Sequence, residues 1–129
     1  MTATPRAIEL IETAATAAAD KLATGIVAYD VSEQLAISDA FLLCTGANDR
    51  QVRSIMDEVE DKMREAGAKL VRREGEREGR WVLLDYADIV VHVQDRDERT
   101  FYGLERIWKD CPRLPLPETA TVGNGGERN

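Results

Sequence analysis

The chain has 129 residues, 17 Lys and Arg against 24 Asp and Glu, a net charge of −7 and two cysteines. That length suits one domain around a single core, and the acidic balance argues against broad or sequence-specific nucleic-acid binding. Cys44 and Cys111 form no disulfide framework, and neither a leader nor an apolar run near the roughly 20 residues of a bilayer span is visible, so the expectation is a reduced, cytoplasmic protein with no membrane contact.

Thr4 and Pro5 open the first predicted helix, with a hydroxyl cap followed by a proline whose missing N–H costs nothing there. Ile8, Ile11, Ala15, Ala18 and Leu22 recur at helical steps as its apolar stripe, and Gly25 supplies the stop. Ile26–Ser32 and Asp39–Gly46 read as strands. A second helix follows, marked by a capping box of Asn48 with Gln51 and a stripe of Val52, Ile55, Met56, Val59 and Met63, ending at Gly67. Glu58 and Lys62 are spaced as an i, i+4 pair on its outer face.

A third strand spans 69–74 and leads through the turn GEREG into two further strands, giving a meander. DRDERTFYGLERIW is predicted as a final helix, with Asp95 or Asp97 at its N-terminus and Phe101, Leu104 and Trp108 along one side. Three of the four prolines lie beyond Cys111, where apolar periodicity ends, so 111–129 is expected to be an unstructured tail behind a domain of 4–110. The fold class is mixed α/β, about five strands flanked by helices.

The most apolar segment, GRWVLLDYADIVVHV, also carries two aspartates, the single histidine and one of the two tryptophans. A hairpin turning at Tyr86 and Ala87 sets Asp85 opposite Asp88, Leu83 opposite Val90 and Trp81 opposite His92, all on one face. The other face, Val82, Leu84, Ile89, Val91 and Val93, is wholly apolar and belongs to the core. Trp81 either packs beneath a helix or anchors a partner-binding patch rimmed by charge. Tyr-Ala is poor chemistry for a two-residue turn, and a slip of one residue swaps the faces.

No catalytic set is evident. Asp85, Asp88 and His92 are too few for a metal centre in a chain with one histidine. The strand, glycine and helix start in CTGANDRQ can hold a phosphate or can be an ordinary turn capped by Asn48. The Gly-rich nucleotide-binding loops are absent, and Cys44 reads as a buried, inert thiol. No cofactor is expected.

DAFLLCTGANDRQVRSI, GRWVLLDYADIVVHV and FYGLERIW, in this order and spacing, resemble the ribosomal silencing factor or Iojap family, over roughly Ala7 to Trp108. The resemblance implies a nucleotidyltransferase-like mixed fold without that enzyme class's paired carboxylates after Gly-Ser. It implies a non-enzymatic protein that binds the large ribosomal subunit through its small basic β protein, number fourteen, and blocks joining of the small subunit. Translation then falls under nutrient limitation, and the free protein is expected to be a homodimer. The carried-over contact set is Trp81, Leu83, Asp85, Tyr86, Asp88, Val90 and His92. Ala87 departs from the family's usual glycine. The competing reading is a nucleotidyltransferase-like enzyme binding nucleotide at the Gly46 turn.

Overall fold

The computed structural model describes residues 2–121. Helix α1 (Pro5–Asp20) starts where the sequence places it, with Thr4 Oγ1 accepting from the Ala7 N–H at 3.1 Å. Its buried stripe is Ala7, Leu10, Ile11, Ala14, Ala15, Ala17 and Ala18. The expected stripe is corrected at its ends, since Ile8 is only partly buried and Leu22 lies beyond the helix, 76% exposed. Small alanines let α1 sit close against its neighbours.

Strands β1 (Thr24–Asp30) and β2 (Ala40–Gly46) pair antiparallel. Helix α2 (Asp49–Glu65) follows, with all five expected apolar residues buried. Asn48 Oδ1 accepts from the Gln51 N–H at 2.9 Å, while Gln51 Oε1 reaches back to the Ala47 N–H at 2.6 Å. Lys62 lies 3.9 Å from Glu65, so its ion pair runs along i, i+3.

Strands β3 (Arg72–Glu74), β4 (Trp81–Asp85) and β5 (Ile89–Asp95) form the expected meander, β3 being shorter than its sequence pattern. The sheet order is β1-β2-β5-β4-β3, with β2 and β5 parallel and every other pair antiparallel. α1 and α2 pack on one face, against Leu42, Cys44, Val82, Leu84, Ile89, Val91 and Val93.

The expected single final helix is broken. Gly103 adopts φ +54° and separates α3 (Arg96–Tyr102) from α4 (Leu104–Ile107). Asp95 caps α3, its Oδ1 accepting from the Glu98 N–H at 2.8 Å. The break turns Phe101 outward to 77% exposure while Leu104 stays buried, so the two do not share a packed side.

The unstructured tail from residue 111 is also corrected. Cys111 is buried, the Leu114 N–H donates to Ala28 O at 2.9 Å, and Tyr29 bridges to Arg113 on the open edge of β1. Leu114, Leu116 and Ala120 join the α1-side core, Ala120 from α5 (Glu118–Thr121). Prolines removed the periodicity of this strap without preventing its burial. Residues 122–129 of the expected tail lie outside the described residues.

Candidate functional site

The opposite sheet face carries the conspicuous chemistry. Phe41 comes from β2, Val90, His92 and Gln94 from β5, and Trp81, Leu83 and Asp85 from β4, the alternation of each strand turning these outward from α1 and α2. Trp108 closes the centre, its ring centroid 4.6 Å from Phe41, 5.7 Å from His92 and 6.2 Å from Tyr29. The β4 half stays open: Trp81, Leu83 and Asp85 are half-buried.

The hairpin register differs from the expected one. Asp85 faces Val90, Leu83 faces His92 and Trp81 faces Gln94. The turn is centred one residue later, on Ala87 and Asp88, and the Tyr86 N–H donates to Ile89 O at 2.9 Å. Moving the centre by one residue shifts each cross-strand partner by two, so the faces are preserved. Ala87, at φ +70°, is crossed by a hydrogen bond from the Asp88 N–H to Tyr86 O at 2.9 Å, a γ-turn geometry. Three further bonds fix it: the Ala87 N–H to Asp85 Oδ1 at 2.8 Å, Ser38 Oγ to Ala87 O at 2.9 Å, and the Asp39 N–H to Asp88 O at 2.9 Å. A strained residue survives where its surroundings over-determine it.

Of the seven predicted contact residues, the structure gathers Trp81, Leu83, Asp85, Val90 and His92 on this face and leaves Asp88 exposed at its end. Val90 and His92 are buried, so they support the surface from below. Tyr86 is corrected outright: it is 5% exposed and packs in the α1–α2 core on the other side.

Trp81 is held by a specific bond, its indole Nε1–H donating to His92 Nδ1 at 3.2 Å. Accepting at Nδ1 puts the neutral imidazole's proton on Nε2. Among the described residues Nε2 is buried without a partner, and burial pushes the His92 pKa down to about 4. The ring is therefore a neutral support for Trp81 at ordinary pH.

Tyr102, which the sequence pattern did not single out, also borders this face. Its ring lies 4.8 Å from Trp81 and 5.0 Å from the exposed Phe101, and it is 47% exposed itself. The break at Gly103, the αL residue between two short helices, is the signal that could have found it, because a continuous helix carries this turn on along the same axis. Arg99 fixes the break: Nη1 donates to Thr45 Oγ1 at 2.7 Å and Nε to Glu105 Oε2 at 3.0 Å. Arg80 lies 3.8 Å from Asp95 and 3.7 Å from Glu98, tying α3 to the start of β4. The result is an aromatic ledge of Trp81, Tyr102 and Phe101 beside Leu83, with Asp85 and Asp88 at one end and Asp97 and Glu98 at the other.

The Gly46 turn is occupied by its own structure. The Ala47, Gln51 and Val52 N–H groups bond to Gln51 Oε1, Asn48 Oδ1 and Asn48 O. A Cβ on Gly46 would sit 3.0 Å from the Val52 backbone N, so glycine is needed there for close strand–helix packing. Cys44 is fully buried, and burial pushes its thiol up to about 12 despite the opposing charge of Arg99. Among the described residues no three His, Cys, Asp or Glu side chains cluster as metal ligands.

Residues 4–128 match the family described as "Ribosomal silencing factor during starvation". The chain belongs to that family. It is 43% identical over 107 residues to the ribosomal silencing factor RsfS of Bacillus subtilis, covering 83% of this chain and 91% of that protein. Against RsfS of Halalkalibacterium halodurans the identity is 41%, covering 84% and 92%. The chloroplastic Iojap protein of Zea mays is 29% identical, with 45% of its length covered. Among solved structures, a Bacillus halodurans protein matches at TM-score 0.74 and 39% identity, over 84% of this chain and 98% of that one. A Chromobacterium violaceum protein matches at TM-score 0.76 and 34% identity, over 78% and 84%. The chain is thus a ribosomal silencing factor by family, with a mixed α/β, five-stranded fold.

Proposed function

We propose that this silencing factor docks on the large ribosomal subunit through the small basic protein number fourteen and keeps the small subunit from joining. The observation that supports it best is the Trp81–Tyr102 pair, two aromatic rings 4.8 Å apart and partly open to solvent between acidic ends. Aromatic side chains of this kind anchor interfaces, and an acid-rich rim matches a basic partner. In this reading Trp81, Leu83, Asp85 and Asp88 make contact, joined by Tyr102 and Phe101, while His92 and Val90 hold the ledge in place. Tyr86 drops out of the contact set because it faces the core.

The action is steric. A domain of this length has a radius of gyration of about 13 Å, enough to obstruct a subunit interface when parked on it. No chemical step is needed, and the place of action is the cytoplasm, where the subunits meet. The free protein hides the same ledge in a homodimer, so dimer and ribosome compete for it.

Replacing either Trp81 or Tyr102 with Ala should weaken co-sedimentation with large subunits by about 2 kcal/mol, roughly 30-fold, without changing the circular dichroism spectrum. Full-strength binding by both variants would move the contact to another surface.

A further inference from the structure

A second site lies on the α2 side of the sheet, where the chain leaves α2 for β3. There a groove of about 430 Å³ is lined by Glu60, Arg64, Lys69, Leu70, Arg73 and Tyr86, with Gly67 and Ala68 between them. That volume falls within the range of small-ligand pockets and exceeds what a lone phosphate ion fills.

Its floor holds an unexplained polar group. Tyr86 is 5% exposed, yet among the described residues its hydroxyl has no hydrogen-bond partner. Tyr86 is itself one of the groove's lining residues, beside Glu60, Arg64 and Arg73. The Glu60 carboxylate is turned to Arg73, at 2.7 Å from Nε and 3.1 Å from Nη2. Burial first, and then the Glu60 charge, push the phenol up to about 12 against the pull of Arg73 and Arg64, so it stays a donor. Leaving a buried hydroxyl unpaired costs free energy, which a bound acceptor would recover.

The groove is also a basic spot on an acidic chain. Among the described residues Arg64 pairs only with Asp61, an exposed i, i+3 pair of little strength. Lys69 forms no ion pair among the described residues. The nearby carbonyl end of α2 repels anions weakly, since Arg6 Nη2 bonds to Ala66 O at 2.8 Å and the Ala68 N–H bonds to Met63 O at 2.9 Å.

We propose that this groove binds a small phosphorylated molecule. Its phosphoryl oxygens accept from the Tyr86 hydroxyl, the Lys69 ammonium and the Arg64 guanidinium, three donors suited to a three-oxygen anion. Ala68 and Leu70 offer an apolar wall for the remainder of the molecule, such as a nucleobase. Because the Tyr86 hydroxyl is buried, binding requires the Arg73–Glu60 and Arg64–Asp61 pairs to open. This site is separate from the Gly46 turn and from the aromatic ledge, and it does not depend on the ribosomal reading.

The test is a titration of the uniformly ¹⁵N-labelled full chain with adenosine monophosphate, with inorganic phosphate and adenosine as its two halves. Saturable amide shifts should be confined to Gly67–Leu70, Arg73 and Tyr86, with phosphate moving the same signals more weakly and adenosine leaving them in place. Tyr86→Phe should lower the affinity about tenfold, the value of one hydrogen bond to a charged acceptor. Its unfolding temperature should match or exceed that of the parent, because an unpaired buried hydroxyl has been removed. Lys69→Gln, at an exposed position, should weaken binding without touching the core. The proposal is overturned by shifts that do not saturate, by shifts scattered over other cationic surfaces, or by Tyr86→Phe binding as well as the parent.

Discussion

His92 is the residue whose environment most restricts its chemistry. Its folded pKa of about 4 lies below the unperturbed 6.5, so the unfolded chain takes up the proton first. Its stabilising contribution is therefore complete above pH 6.5 and is lost as pH falls through 4, about 3 kcal/mol over that window. In urea titrations, His92→Asn should flatten this part of the pH–stability curve, its amide oxygen still accepting from Trp81. An unchanged slope would show that other groups titrate there. Ala87 gives a second residue-scale outcome: at φ +70° it is strained, so Ala87→Gly should raise unfolding stability by about 1 kcal/mol. A lower urea midpoint would contradict that assignment. The sequence exposed the poor turn chemistry at this spot, but it could not reveal that the turn centre moves by one residue, because that depends on Ser38 and Asp39 arriving from the β1–β2 connection.

At the scale of elements, what was legible in the sequence is what local rules encode. The Thr4 cap, the Asn48–Gln51 box and the apolar stripe of α2 all depend on neighbours within a few residues, and each is found where expected. The segments that escaped depend on distant contacts. The strap 111–121 has no periodicity of its own, and its leucines find α1 and β1 only once the sheet exists. Truncation after Arg113 should therefore destabilise the fold by roughly 2–4 kcal/mol, as expected when buried apolar groups are removed. An unaltered urea midpoint would return this strap to the status of a tail. The segment predicted as one helix breaks at Gly103, and Tyr102, the last residue of α3, lies with its ring 4.8 Å from Trp81. β-strand alternation was enough to gather Trp81, Leu83 and Asp85 on one face, while Tyr102 comes to them from α3, whose end the predicted single helix ran past.

For the whole molecule, the proposed function rests on the division of the sheet into two faces. One face is closed by α1, α2 and the strap, and its interior is apolar apart from groups such as the Tyr86 hydroxyl. The other is only partly closed, leaving an aromatic ledge on a chain with net charge −7. The proposed silencing by obstruction would need no more than an anchor, a complementary rim and enough bulk. The most direct test incubates large subunits with saturating purified protein, adds small subunits, and resolves the particles on a density gradient. Separate subunits are expected with the parent chain, and restored intact ribosomes with a Trp81→Ala, Tyr102→Ala double variant. Intact ribosomes forming unimpeded with the parent chain would contradict the proposed obstruction.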